Sequence, residues 1–173
     1  DTAPHFVLWG VDEVYHDLND TKGKNGTLII FMCNNCPAVR PKIPEIKRIA
    51  RDFKSKGITV IGINANESLN YPEDSFEKMQ EYFQKWGIDF YYLHDDAQAT
   101  AKSYGAICTP DPFFFDKDLK LIFHSSIDDT HLKEEAGKHE MYDAIDEYLR
   151  IGKISQKEQP SMGCSIKWRY DER

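Results

Sequence analysis

Residues 27–37 read TLIIFMCNNCP, and this stretch decides the fold. Residues 27–32 are almost continuously apolar, which is typical of a strand with both faces buried in the middle of a sheet. Cys33 and Cys36 follow at once, separated by two asparagines. Apolar residues then recur at helical spacing, namely Val39, Ile43, Ile46, Ala50 and Phe53. The stretch predicts a buried strand, a cysteine pair and a helix that two prolines kink or divide.

A cysteine between a buried strand and a helix has a particular chemistry. The first turn of a helix carries N–H groups without partners and a partial positive charge, and both stabilise a thiolate. Cysteines so placed have pKa values of about 3.5–7.5 instead of about 8.5. We therefore expect Cys33 to be the attacking thiolate and Cys36, one turn further along, to be the resolving thiol. The neutral residues between them, Asn34 and Asn35, can tune the thiolate only through hydrogen bonds.

The same cysteine spacing also occurs in zinc sites. A zinc site needs two further ligands at a spacing of their own. The other two cysteines, Cys108 and Cys164, lie far apart in the chain, and none of the six histidines stands at a ligand spacing from them. We therefore expect a redox pair and no metal, with a pair of inert buried cysteines as the remaining alternative.

The rest of the chain alternates between strand and helix patterns. Strands are predicted at residues 6–9, 14–18, 58–63, 90–93, 113–115 and 119–124. Helices are predicted at residues 73–86, 97–104 and 139–150. This order indicates a single α/β domain over residues 1–173, with three layers and a mixed central sheet. Residues 1–26 then form an N-terminal hairpin extension, and residues 152–173 form an irregular C-terminal tail.

Composition and charge exclude several classes of protein. The chain of 173 residues is 40% hydrophobic and 29% charged, as expected for an ordinary globular domain. A net charge of −7 disfavours binding to nucleic acid. No apolar stretch approaches the ~18 residues of a membrane helix, so we expect no transmembrane segment. The chain begins at Asp1 without a methionine, which favours export to the bacterial periplasm over a cytoplasmic location without deciding the compartment.

A second segment, GAICTP at residues 105–110, reads on its own as an ordinary loop before a strand. Taken with other motifs, it gives the chain a resemblance to the thioredoxin-like superfamily, in its peroxiredoxin and thiol-reductase branch. The motifs are APHF at residues 3–6, CNNCP at residues 33–37, Pro41 and Thr109-Pro110. The sequence GCSIKW at residues 163–168 also resembles a C-terminal signature of one bacterial subgroup of thioredoxin-family proteins.

The resemblance implies a thioredoxin-like three-layer α/β/α sandwich with an N-terminal β-hairpin and a helix–strand insertion formed by residues 73–86 and 90–93. It implies a cis peptide bond between Thr109 and Pro110, packed against the Cys33 sulfur. It further implies an antioxidant role and a Thr109 backbone that pairs with an incoming substrate strand. The implied substrate-binding residues are Thr109, Pro110, Asn34 and Asn35.

The sequence departs from the family pattern around the cysteines. Met32 stands in place of the usual tryptophan, and Thr27 stands where thioredoxins have a buried acidic residue. Neither Ile30 nor Cys33 offers the hydroxyl that a peroxiredoxin places three residues before its peroxidatic cysteine. The missing hydroxyl disfavours a dedicated peroxide-reducing site.

Each of the two further cysteines has two possible roles. Cys108 lies two residues before Pro110. It either fills space as a small apolar residue or acts as a third redox thiol at the rim of the Cys33 site. Cys164 is either a buried structural thiol or a partner of the active pair.

We expect the protein to carry out thiol–disulfide exchange with disulfide-containing protein substrates. A separate reductant or oxidant then recycles the Cys33–Cys36 pair. No cofactor is needed, and we expect a monomer. Three alternatives stay open: a thiol-dependent peroxidase that uses Cys33 or Cys36, a non-catalytic binding module, and a copper-delivery protein that adds His124, His131 or His139 to the two cysteines.

Overall fold

The computed structural model describes residues 1–34, 36–130 and 136–169, and strand β3, Gly26–Phe31, runs through the middle of its sheet. β3 pairs in parallel with β4, Ile58–Asn64, and antiparallel with β7, Asp111–Asp116. All six residues of β3 are buried, since neighbouring strands and helices cover both of its edges and both of its faces. The prediction of a central strand with two buried faces is confirmed.

Four more strands complete a seven-stranded mixed sheet. They are β1, Val7–Gly10; β2, Tyr15–Asp17; β5, Tyr91–His94; and β8, Leu121–His124. The strand order is β2-β1-β5-β4-β3-β7-β8, in which β3, β4 and β5 are parallel and the outer neighbours are antiparallel. The predicted N-terminal hairpin is therefore present as β1 and β2, and it extends the sheet beyond β5.

Side chains of β3 point alternately to two separate cores, because successive residues of a strand face opposite sides of the sheet. Leu28 and Ile30 share one core with α2, Ile43–Lys54, and α5, Glu140–Ile151. Ile29 and Phe31 share the other core with two short helices. Helices cover both faces of the sheet, which confirms the three-layer α/β/α architecture. The remaining helices are α1, Leu18–Thr21; α3, Phe76–Lys85; and α4, Ala99–Tyr104.

No helix within the described ranges is long and apolar enough to cross a bilayer. The longest helices, α2 and α5, have 12 residues each, against the roughly 20 that a hydrocarbon core requires. Both also carry charged residues along one side.

The helical segment after the cysteines is divided, as its two prolines predict. Met32 still donates its N–H to the carbonyl of Ile63, at 2.9 Å, so the backbone stays extended up to Cys33. A turn at residues 37–39 and a 3-10 turn, Arg40–Lys42, then lead into α2. Proline is tolerated in a first helical turn, where its missing N–H costs no hydrogen bond, and this accounts for the division of the helix. The helical segment therefore begins after Cys36 and not after Cys33.

The sequence predicts an irregular tail, but the tail segment, residues 152–169, contains a short strand. Its strand β9, Cys164–Ser165, pairs antiparallel with β6, Cys108–Thr109. This segment is ordered by pairing with residues that are distant in the sequence. Hydrophobic periodicity is a local signal and does not predict such contacts.

A buried ion pair ties the start of α2 to the loop after β8. The Lys42 ammonium lies 2.7 Å from Asp128 Oδ1 and 2.8 Å from the Asp128 carbonyl oxygen. Both side chains are almost completely buried, so each charge depends on the other for compensation.

We predict that Lys42→Met destabilises the protein by about 3–5 kcal/mol, because it leaves the Asp128 carboxylate buried without its cation. The matched control is Arg150→Met, which breaks an exposed pair with Asp146 and should cost less than about 1 kcal/mol. Urea unfolding of the two variants measures both values. Equal midpoints for the two variants would contradict the importance of the buried pair.

Candidate active site

Three thiols from distant parts of the chain meet at the end of β3. The Cys36 sulfur lies 2.7 Å from the Cys164 sulfur, and the Cys33 thiol hydrogen-bonds to Cys36. The Thr109 hydroxyl lies among them, 3.5 Å from Cys33 Sγ and 3.8 Å from Cys36 Sγ. The loop after β3 contributes two of the thiols, β9 contributes the third, and β6 contributes the hydroxyl.

The Thr109–Pro110 peptide bond is cis, and Thr109 is buried against the two cysteines of the loop. The same residue pairs with the tail: Thr109 lies opposite Cys164 in the β6–β9 ladder, and its hydroxyl is 3.5 Å from the Cys164 carbonyl oxygen. The structure thus brings Cys33, Cys36 and Thr109 together, and of the two roles considered for Cys164 it favours contact with the active pair.

Cys36 lies at the start of the helical segment. Its carbonyl oxygen accepts from Val39 N at 3.0 Å and from Arg40 N at 3.1 Å, and the Ala38 N–H donates to its sulfur. The Cys33 thiol is the strongest of the donors to this sulfur, and Cys164 and Thr109 add to it. These donors outweigh burial, which acts in the opposite direction, and lower the pKa of Cys36 to about 5.

Cys33 is in the opposite situation from Cys36. Its hydrogen bond to Cys36, its burial and the nearby Asp74 carboxylate all raise the pKa of Cys33 above its ordinary value. The sequence predicts the acidic thiol at Cys33, where the strand ends. The helical turn starts one turn later, so Cys36 receives its N–H groups.

Asn34 is buried and has no surface that a substrate could contact, so the prediction that Asn34 binds substrate is corrected. Its side chain is fully buried. Its backbone N–H donates to Asp74 Oδ1 at 2.8 Å, and its Nδ2 donates to the Glu73 carbonyl oxygen at 2.8 Å. Its Oδ1 accepts from the Tyr92 hydroxyl at 2.6 Å. Asn34 therefore holds the cysteine loop in place, while Asn35 lies outside the described residues.

The buried carboxylate of Asp74 is a positioning residue that sequence reasoning missed. Besides Asn34, it accepts from Asn64 Nδ2 at 3.3 Å and from Asn66 Nδ2 at 3.0 Å. The sequence assigned Asp74 only to the opening of a helix, since no local pattern shows that it reaches the cysteine loop.

Cys108 stands apart from the reactive pair. Its Sγ lies 4.0 Å from the Pro110 carbonyl oxygen, and burial, with a smaller effect from Asp111, raises the pKa of Cys108 to about 12. Its thiol therefore stays protonated at neutral pH, which favours the space-filling role over the role of a redox thiol.

Among the residues that the structure describes, one group of three could hold a metal ion: Glu45, Asp128 and His139. It contains no cysteine. Arg48 pairs with the Glu45 carboxylate and Lys42 pairs with that of Asp128, so cations already compensate both negative charges. Of the other histidines weighed for copper, His124 binds the Asp111 carboxylate at 2.7 Å, and His131 lies outside the described residues.

Comparison with solved structures identifies the fold. The thioredoxin domain of a thiol-disulfide oxidoreductase from Bacteroides vulgatus matches 86% of this chain and 96% of its own, with a TM-score of 0.68 and 20% identity. An uncharacterized conserved protein from Geobacillus kaustophilus matches 98% of this chain and 92% of its own, with a TM-score of 0.89 and 38% identity. The fold is therefore thioredoxin-like.

Sequence relatives point to the activity. Thiol-disulfide oxidoreductase ResA of Bacillus thuringiensis subsp. konkukian is 26% identical over 148 residues, which cover 86% of this chain and 75% of the relative. With the fold and the Cys-x-x-Cys pair, this match defines the class of the protein as thiol–disulfide oxidoreductase. The sequence model of the Redoxin family matches residues 1–139, and the chain belongs to the Redoxin family. These relatives favour disulfide exchange over peroxide reduction or copper delivery.

We predict that Thr109→Val slows alkylation of Cys36 by iodoacetamide at pH 6, because it removes a hydroxyl that lowers the pKa of this thiol. Thr109→Ser, which keeps the hydroxyl, should retain the wild-type profile. The measurement is the rate of Cys36 alkylation against pH, followed by mass spectrometry of the cysteine peptides. Profiles of the valine variant and the wild type that coincide would contradict the role of Thr109.

Proposed function

We propose that the protein exchanges disulfides with protein substrates through Cys36 and Cys33, with Cys36 as the attacking thiolate. The position of Cys36 at the start of a helical turn carries this proposal, because donors converge on its sulfur and lower its pKa to about 5. At neutral pH this sulfur is ionised, and the thiolate is the nucleophile in disulfide exchange.

In the reducing direction, the Cys36 thiolate attacks one sulfur of a substrate disulfide. A mixed disulfide forms, and the other substrate sulfur leaves as a thiolate. The Cys33 thiol, already in hydrogen-bond contact with the Cys36 sulfur, then loses its proton to a departing substrate thiolate and attacks Cys36 Sγ. The substrate leaves with both sulfurs reduced, and the protein retains a Cys33–Cys36 disulfide.

The raised pKa of Cys33 suits a resolving thiol. While Cys36 is a thiolate, the Cys33 proton is held between the two sulfurs, which keeps Cys33 from competing for the substrate. Once Cys36 is part of a mixed disulfide it carries no charge, and Cys33 is released from this role as a donor. A separate reductant then reopens the Cys33–Cys36 bond; an oxidant in its place drives the same steps in reverse.

We assign substrate docking to the backbone of Thr109 and to Pro110. A strand that pairs with Thr109 has its own side chain next to Cys36, since the residue now opposite Thr109 has its sulfur 2.7 Å from Cys36 Sγ. β9 occupies this position, so a substrate strand has to displace it.

We predict that Cys36→Ser abolishes the reduction of insulin disulfides by dithiothreitol above the uncatalysed rate. The control is Cys108→Ser, which should keep the wild-type turnover, since the Cys108 thiol lies against the Pro110 carbonyl oxygen and its raised pKa keeps it protonated. Turbidity from the released insulin chain follows the reaction. Full activity of Cys36→Ser would contradict the proposed nucleophile.

The pKa of Cys36 also predicts the reduction potential of the pair. Stabilising the thiolate stabilises the reduced form, and attacking thiols with pKa values of about 7 and 3.5 accompany potentials of about −270 and −120 mV. With a pKa of about 5, the Cys33–Cys36 pair should lie between these limits. The fraction of the linked peptide across a series of glutathione buffers measures the potential, and a value outside this window contradicts the prediction.

A further inference from the structure

β9 crosses the active site as a regular strand that pairs with β6. Thr109 lies opposite Cys164 and Cys108 lies opposite Ser165 in an antiparallel ladder. The pairing continues at Ile166, whose N–H donates to the Ile107 carbonyl oxygen at 3.0 Å. This register points the Cys164 side chain at the cysteine loop, with 2.7 Å between its sulfur and that of Cys36.

The approach of β9 depends on a glycine. A Cβ atom on Gly163 would lie 2.0 Å from the Thr109 carbonyl oxygen and 2.7 Å from the Thr109 carbonyl carbon. No backbone tolerates such contacts, so any larger residue has to push the strand away from Thr109. Gly163 therefore lets Cys164 reach Cys36.

Hydrogen bonds on both sides of Cys164 fix the strand. Before it, the Ser161 hydroxyl donates to the buried Asp111 carboxylate at 3.2 Å. After it, Lys167 donates its N–H to Asn66 Oδ1 at 2.9 Å, and its carbonyl oxygen accepts from Gln98 Nε2 at 2.9 Å. Ile166 is buried in the core between these contacts. Cys164 is thus held in place over the Cys36 sulfur.

We propose that Cys164 is a second resolving thiol, which releases substrate from Cys36 by forming a Cys36–Cys164 disulfide. This inference rests on the proposed function of Cys36. In the mixed disulfide, the Cys164 thiol gives its proton to a departing substrate thiolate and attacks Cys36 Sγ. The bond between Cys36 and the substrate breaks, the substrate sulfur leaves with the electron pair, and a bond between Cys36 and Cys164 forms.

The return of β9 to Thr109 and the release of the substrate are then one event. A substrate strand and β9 compete for the same backbone edge, so the strand that brings Cys164 back also displaces the substrate. The Cys33 thiol can next give its proton to the departing Cys164 sulfur and attack Cys36 Sγ in the Cys36–Cys164 bond. This step forms Cys33–Cys36, frees Cys164 as a thiol and leaves the number of disulfides unchanged.

Oxidised glutathione is the probe for the test, since it forms a mixed disulfide with Cys36 that mass spectrometry resolves. The reduced variants Cys33→Ser and Cys33→Ser/Cys164→Ser are treated with it, quenched with acid and mapped. We expect Cys33→Ser to lose the glutathione adduct and to show a Cys36–Cys164 peptide. The double variant should hold the adduct at least about tenfold longer, because it lacks the thiol held in attack geometry.

A long-lived adduct in Cys33→Ser, equal to that of the double variant and without a Cys36–Cys164 peptide, would overturn the role of Cys164. Absence of any adduct at Cys36 in both variants would instead contradict the proposed nucleophile, so the two failures are distinguishable.

A second variant keeps every sulfur other than that of Cys33 and tests the placement of the strand. In the Cys33→Ser background, Gly163→Ala should lengthen the lifetime of the glutathione adduct toward that of the double variant, because the added methyl group pushes β9 away from Thr109. The matched control is Met162→Ala, which changes the neighbouring exposed side chain and should leave the lifetime unchanged. Equal lifetimes for Gly163→Ala and its control would count against a role for β9.

Discussion

The sulfur of Cys36 lies at the first residue of a helical turn, and donors from three separate segments converge on it. The Ala38 N–H and the Cys33 thiol come from its own loop, the Thr109 hydroxyl from β6 and the Cys164 thiol from β9. Each donor favours the thiolate, and together they overcome the cost of burying a charge. The lowered pKa of Cys36 and the raised pKa of Cys33 both follow from this one hydrogen-bonding centre.

A buried polar network keeps this centre in place. Asp74 accepts from the cysteine loop at Asn34 and from Asn64 and Asn66 at the end of β4. Asn66 in turn accepts from Lys167 of the tail segment, so the same network supports both sides of the site. The negative charge of Asp74 also raises the pKa of Cys33, so the pKa values of the two thiols move apart. Positioning and electrostatics are therefore provided by the same residues.

The central strand, its helices and the cysteine pair could be predicted because their signals are local. β3 is apolar without interruption, α2 repeats its apolar residues at helical spacing, and Cys33 and Cys36 stand between them. The order of the two thiols could not be predicted in the same way. It depends on whether the helical turn begins at the first or at the second cysteine, and the turn closes at Cys36, whose carbonyl oxygen accepts from Val39 N and Arg40 N.

By itself, the sequence determined the layers of the fold, the middle strand and the presence of a redox pair, since burial patterns and motif spacing act over a few residues. Only the tertiary structure decided that the helical turn starts at Cys36, that Asn34 is a buried support, and that Cys164 lies beside the Cys36 sulfur. The physical reason is the range of the contacts. Asn34 is held by Asp74 and Tyr92, and Cys164 by Thr109, all far away in the chain, and such contacts exist only once the sheet and its crossings have formed.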